Sequence, residues 1–142
     1  MSGRAKETEA AKLARKAKEK AAREAKQSAD LAQFIGVLER AGNVVEREVP
    51  LRNPSTGREW RFDIFIVNCK LPDGYIDYVP IALEIDGIGF SHGSMKGIER
   101  DRAKRREAVI AGWRPIAVSW KEVGDGTALE ILSRCGVNVE SK

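Results

Sequence analysis

The stretch Ala82-Leu83-Glu84-Ile85-Asp86-Gly87 carries two carboxylates two residues apart in an otherwise apolar run. Strand side chains alternate, so Glu84 and Asp86 share one face while Leu83 and Ile85 take the other. Two carboxylates on one strand face are costly to bury unless a cation, a proton or a hydrogen-bonding partner meets them. Asp63 poses the same problem in Arg61-Phe62-Asp63-Ile64-Phe65, among residues that favour burial. Brought together from adjacent strands, the three carboxylates would converge on one point. Hard oxygen donors of this kind suit Mg²⁺ or Mn²⁺, which keep several waters and bind substrate phosphate. Taken singly, each acid reads as a strand-end group facing solvent or paired with an arginine. The three together read as a metal site.

A basic segment follows the acidic strand directly. Between positions 91 and 107 stand six Lys/Arg (Lys96, Arg100, Arg102, Lys104, Arg105, Arg106) against three acids. A charge run alone is usually a solvated helix face. Beside metal ligands it suits a phosphodiester substrate, with the metal activating water and Lys/Arg binding flanking phosphates. His92 is the single histidine, which excludes any site that needs two. In a glycine-rich stretch it reads as a surface residue; beside a metal it could contact the scissile phosphate or donate a proton.

The elements that must position these residues follow from periodicity. Leu31, Phe34, Ile35 and Leu38 fall on one stripe of a helix beginning near Ser28, and Gly42 suits its C-terminal cap. Val44 to Leu51 reads as a first strand, and Asn53-Pro54-Ser55-Thr56-Gly57 as a turn. Trp60 to Val67 reads as a second strand with Trp60, Phe62, Ile64 and Ile66 on one face. Leu71-Pro72-Asp73-Gly74 is a second turn, and Val79 to Asp86 a third strand with Ile81, Leu83 and Ile85 on one face. Gly87, Gly89, Gly93 and Gly97 mark a loop. Residues 98–111 form a charged helix closed by Gly112, Arg114 to Trp120 a fourth strand, and Thr127 to Arg134 a last helix. The first three strands suit an antiparallel meander, and the helix after them lets the fourth return in parallel. The expected class is α/β, a mixed sheet flanked by helices. Trp60, Trp113 and Trp120 fit strand boundaries and read as core.

The chain has 142 residues, enough for one domain and too few for a multidomain machine. Its net charge is +4, unevenly spread. Residues 1–28 hold nine Lys/Arg and four Glu, a net of +5, which leaves −1 for the remainder. Residues 1–27 therefore read as a basic Ala/Lys/Glu/Arg-rich arm, helical or disordered, and 28–142 as the folded domain. The arm's helix formers carry no large apolar residue except Leu13, so it has no face to bury. It reads either as a solvated charged helix or as a contact for nucleic acid or another acidic surface. Cys69 and Cys135 lack metal-ligand spacing and read as free thiols of a cytoplasmic protein. The charged first residues suggest no secretory signal. The apolar runs fall far short of the ~20 residues a span needs, so no membrane partner is expected.

Asp63 followed by Glu84-x-Asp86-Gly87 resembles the PD-(D/E)XK nuclease superfamily, whose αβββαβ restriction-endonuclease-like core agrees with the element order above. From Trp60 to Trp120, less than half of the chain, the resemblance is to small phage-type endonucleases of that superfamily. It is carried by Trp60-Arg61-Phe62-Asp63, by Glu84-Ile85-Asp86-Gly87, by His92, Gly97, Glu99, Asp101 and Lys104, and by Gly112-Trp113. Holliday-junction resolvases belong to the same superfamily. The resemblance implies Asp63 and Glu84 as metal ligands. Asp86, where the superfamily more often has a lysine, would be a third ligand. Lys104, or second to it Lys96, would take the lysine's role, and His92 would sit by the phosphate. Asp30 is the nearest candidate for the acid that many members carry in the first helix. Lys96, Arg100, Arg102, Arg105 and Arg106 would bind DNA.

The activity implied is Mg²⁺- or Mn²⁺-dependent endonucleolytic cleavage of DNA, leaving a 5′-phosphate and a 3′-hydroxyl. No base-reading module is visible, so branched DNA such as a Holliday junction is the expected substrate, cut by a possible homodimer. The rivals are a nicking or repair-type nuclease on duplex or flap DNA, a catalytically inactive DNA-binding protein of the same fold, and a basic RNA-binding protein.

Overall fold

The N-terminal arm and the amphipathic stretch after it form one helix. The computed structural model describes residues 6–67, 69–70, 76–77, 79–86 and 95–140. Helix α1 runs from Glu9 to Arg40 and passes position 28 without a break. Thr8 caps it, its Oγ1 accepting from the Ala11 N–H at 3.0 Å, with Glu9 in the first turn beside the positive end of the helix dipole. Strong helix formers carry it through a stretch where nothing is buried. Only Leu31, Phe34 and Leu38 reach the core. The helix stops where Gly42 takes a φ of +96°, a conformation that a Cβ would penalise. Asn43, buried, then donates from Nδ2 to the carbonyls of Leu38 at 3.0 Å and Asn138 at 2.7 Å, tying the helix end to the C-terminal segment.

Strand β1 (Val44–Arg52) and strand β2 (Glu59–Val67) form an antiparallel hairpin. Asn53 Oδ1 accepts from the N–H groups of Ser55 and Thr56 in the turn, and Gly57 there has a φ of +75°. A short antiparallel pair follows, β3 (Cys69–Lys70) with β4 (Ile76–Asp77). It is absent from the reading of the sequence, where two-residue strands leave no periodicity. The Leu71–Gly74 turn between them lies outside the described residues. Strand β5 (Ile81–Asp86) pairs antiparallel with β2 and parallel with β6 (Arg114–Ser119), so the main sheet has the order β1-β2-β5-β6. Helix α2 (Met95–Ile110) makes the parallel crossover, starting three residues before the expected position, and Gly112 closes it with a φ of +83°.

The fourth strand ends one residue earlier than expected, because Ser119 caps a further helix, α3 (Trp120–Asp125). Ser119 Oγ accepts from the Glu122 N–H at 3.1 Å and Glu122 Oε1 from the Ser119 N–H at 2.9 Å. That reciprocal box outweighs the strand preference of Trp120. Helix α4 (Thr127–Arg134) completes the chain of elements.

The result is a mixed four-stranded sheet with helices on both faces, an α/β architecture. On one face α1, α3 and α4 bury Leu31, Phe34, Leu38, Val123 and Leu132 against Ile64, Ile66, Ile81, Leu83, Ile85 and Val118. On the other, Ala108 of α2 meets Phe62 and Ala82, with Leu51, Phe65 and Trp113 at the margin. Ile81, Ala82 and Leu83 are fully buried, which fits a central strand covered on both sides. Among the described residues no helix is long and apolar enough to cross a membrane.

Candidate functional site

The sheet loosens where the acids stand. The β2–β5 ladder pairs Ile66 with Ile81, Phe65 with Ala82 and Ile64 with Leu83, and stops there, one step before Asp63 and Glu84. The β1–β2 ladder also skips Asp63. Its register passes from Arg47–Ile64 to Val49–Phe62, and the omitted partner, Glu48, has a φ of +54°. A left-handed conformation at a non-glycine costs of order 1–3 kcal/mol, and such strain gathers at functional sites.

The break turns the outer half of β2 over. Ile64 and Ile66 face α1, whereas Phe62 packs beneath α2, edge-on to Trp113 at 5.9 Å between ring centroids, and Phe65 meets the same Trp113 ring at 4.8 Å. The expectation that Phe62 shares a face with Ile64 fails for this reason. Strict alternation assumes an unbroken ladder. Trp60 is buried and lies under the Arg58 guanidinium at 5.1 Å, and Trp120 packs at the margin of the main core.

Freed from both ladders, Asp63 uses its side chain. Its Oδ2 accepts from the Ile85 N–H at 2.7 Å, supplying an acceptor for a backbone donor just past the point where the β2–β5 ladder stops. The short distance is that of a charge-assisted bond. It holds the Asp63 carboxylate beside the Glu84–Ile85 peptide. Glu84 points to the α2 face, where its Oε1 meets Lys104 Nζ at 2.7 Å. Both side chains are largely buried, 16% exposed for Glu84 and 12% for Lys104. Lys104 Nζ also sits 4.7 Å over the Phe62 ring, a cation–π contact. The overturned Phe62 is thus the floor on which the lysine rests.

Asp86, the last residue of β5, is half-buried opposite Ser119 of β6. Asp101 is half-buried on α2, whereas Lys96, Arg100, Arg102, Arg105 and Arg106 are all exposed. Of the six cations read as one basic helix, Lys104 alone turns inward. Asp30 pairs with Lys26 at 2.8 Å and lies against Gly124 of α3. His92, Gly87, Gly89 and Gly93 lie outside the described residues. Cys135 is a free thiol.

Among the described residues no three His, Cys, Asp or Glu side chains converge to hold a metal ion, so the expected triad of Asp63, Glu84 and Asp86 does not form one cluster. Asp63 and Glu84 are hard oxygen donors of the kind such ions take. Each commits one oxygen to a protein partner, and among the described residues the second carries no hydrogen bond. Mg²⁺ needs only one or two carboxylates when waters and a substrate phosphate complete its octahedron. Glu48, whose conformation opens the ladder, and Phe62, as support for Lys104, are absent from the reading of the sequence. A positive φ at glutamate leaves no mark in composition. No family model matches the chain, and neither a curated protein nor a solved structure matches it.

Proposed function

We propose that the protein is a metal-dependent DNA endonuclease of the PD-(D/E)XK type, with the four-stranded sheet, α1 and α2 as its αβββαβ core. One observation carries the reading. Where two antiparallel strands separate, an aspartate accepts from the backbone N–H of the residue after a glutamate, and a largely buried lysine from the following helix is bonded to that glutamate. Two acids and a lysine are the functional groups that phosphodiester hydrolysis uses. Asp63 and Glu84 would hold the ion, which when bound supplies charge stabilisation at the phosphate and a more acidic water. Lys104 would orient Glu84 and place a positive charge beside the reacting phosphate. Lys96, Arg100, Arg102, Arg105 and Arg106 would meet flanking phosphates from the exposed faces of α2. Branched DNA remains the proposed substrate, and a homodimer the proposed assembly.

A second reading is a DNA-binding domain of the same fold without activity. It is favoured by the absence of a three-acid cluster among the described residues and by Asp86 at the position of the usual lysine. The test is incubation of labelled duplex, single-stranded, flap and four-way-junction DNA with Mg²⁺, Mn²⁺ or EDTA, using wild type, Glu84→Ala and Lys104→Met. Metal-dependent cutting lost in both variants is the expected result, and junction cutting in paired strands would mark a resolvase. Cutting of duplex or flap alone would favour the nickase. Binding without cutting under any metal overturns the enzyme and leaves the second reading.

A further inference from the structure

Helix α1 has one face in two halves. Leu31, Phe34 and Leu38 point into the core. Stepping back along the helix by four, four, three, four, four residues from Leu31 and its neighbours reaches Gln27, Arg23, Lys20, Lys16 and Lys12. Those spacings keep all of these residues within about 100° of arc, on one stripe. The stripe is apolar where it meets the sheet and cationic where it has left it. Every residue from 6 to 26 is exposed.

The direction of departure is fixed by the fold. The C-terminal end of α1 runs through a short turn straight into β1, at the end of the sheet where β1 begins and β5 enters. At its other side α1 lies against α3, which starts directly after β6 ends. Gly124 is there because a Cβ would fall 2.7 Å from Asp30 Oδ2 and 3.4 Å from Lys26 Nζ. The helix therefore leaves the domain at the end of the sheet that carries Glu84 and Asp86. Its cationic half projects past those strand ends, continuing the layer that α1 forms on the face of the sheet opposite to the one towards which Glu84 points.

The charge on that half is available. Arg15, off the stripe, takes up both Glu7 and Glu19 at 3.0 Å, and Lys26 is paired with Asp30. Lys20 meets Glu24 only at 3.9 Å on an exposed surface. Among the described residues Lys12, Lys16 and Arg23 form no ion pair. From Lys12 to Arg23 the stripe spans about 16 Å, at 1.5 Å per residue, opposite about five phosphates of a duplex strand at 3.4 Å each.

We infer that Lys12, Lys16, Lys20 and Arg23 form a clamp for the phosphate backbone of duplex DNA, held past the Glu84 end of the sheet. The clamp deepens the nuclease reading and rests on it for the identity of the scissile site; the contact itself needs no catalysis. It gives the substrate a polarity. Duplex must extend from the cut site towards α3 and α1, and a single-stranded extension on that side would lose the contact.

The test is fluorescence anisotropy of a labelled duplex in EDTA across a salt series. It compares wild type, a four-alanine variant (K12A/K16A/K20A/R23A), and that variant with four lysines restored on the opposite face (A11K/A14K/A22K/A25K added). Alanine is the stronger helix former, so the helix survives, and circular dichroism checks it. Loss of four phosphate contacts lowers the slope of log K against log salt by about 3 to 4 and weakens binding about tenfold or more near physiological salt. The relocated variant, equal to wild type in net charge, should stay weak. Wild-type affinity in either variant overturns the clamp. So does light scattering that shows a wild-type dimer reduced to a monomer by the four alanines, because the stripe would then be a self-association face. Cleavage by wild type with unchanged anisotropy in the variants sinks the clamp alone; anisotropy loss without cleavage sinks the nuclease alone.

Discussion

Replacing Lys104 by methionine keeps an unbranched apolar stem over the Phe62 ring and deletes the cation. The pair it breaks is 2.7 Å long with both side chains largely buried. At an effective dielectric of about 20 the gross attraction at that distance is about 6 kcal/mol. Desolvation of two ions takes back most of it, and bonds between charged groups measured in proteins settle at about 1.5–3 kcal/mol. The variant also leaves the Glu84 carboxylate without its partner. Fully buried orphans cost about 3–5 kcal/mol, but residual exposure lets water reach Glu84 and brings the cost to about 2–3 kcal/mol. For a chain of this length that lowers the melting temperature by about 6–10 °C.

A double-mutant cycle isolates the pair. With Lys104→Met, Glu84→Gln and both together in urea unfolding, the double variant should be less destabilised than the sum by about 1.5–3 kcal/mol. The coupling should survive high salt, since screening acts on exposed pairs far more than on buried ones. A coupling under about 0.5 kcal/mol, or a melting temperature for Lys104→Met within a degree of wild type, refutes the reasoning, because the pair would then behave as a solvated surface contact.

Other substitutions probe the framework. Leu38→Ala empties a fully buried position between α1 and the sheet and should cost about 2–5 kcal/mol in urea unfolding. Glu48→Gly should raise the melting temperature by relieving about 1 kcal/mol of left-handed strain, whereas Glu48→Val should lower it. Asp63→Asn keeps an acceptor for the Ile85 N–H but removes the charge, so cleavage should vanish while the melting temperature changes little. The Thr127 hydroxyl, and after it the Thr127 N–H, hold the Asp125 carboxyl below the usual carboxylate range. A depressed folded-state value stabilises above the unfolded value and is lost as pH falls through the folded one. The Thr127 amide resonance should therefore titrate at a lower pH than a free aspartate would, and Asp125→Asn should abolish that titration.

The parts of the fold that sequence disclosed are those with a long period. Leu31, Phe34 and Leu38 announce the buried stripe of α1, and Ile81, Leu83 and Ile85 the core face of β5. Gly42 and Gly112 end helices as composition implies, both with positive φ. The continuity of α1 across position 28 was not legible, because the loss of apolar residues at the arm looks like the end of a domain. It records only that the helix outlives its contact with the sheet. The Ser119–Glu122 box was legible in principle, a serine three residues before a glutamate, but the strand preference of Trp120 masked it.

At the site, residue types were legible and their connections were not. Asp63, Glu84 and Lys104 stand out because charge in apolar surroundings or beside an acidic strand calls for a partner. Which partner depends on the ladder break at Glu48 and Asp63, a property of two strands at once. The break has three consequences. It frees Asp63 to accept from the Ile85 N–H, beyond the last rung of the β2–β5 ladder, it turns Phe62 under Lys104, and it concentrates strain in β1, remote in sequence from either acid. Glu48 therefore acts on the site through Asp63. Glycine accepts the left-handed conformation in which glutamate is strained, so Glu48→Gly keeps the break and should gain stability with cleavage unchanged. Glu48→Val opposes that conformation and pushes the strand towards a closed ladder, which would draw Asp63 back from β5. That variant should lose stability and cleavage together. Stability lost with cleavage unchanged would show that Asp63 is held by β5 alone.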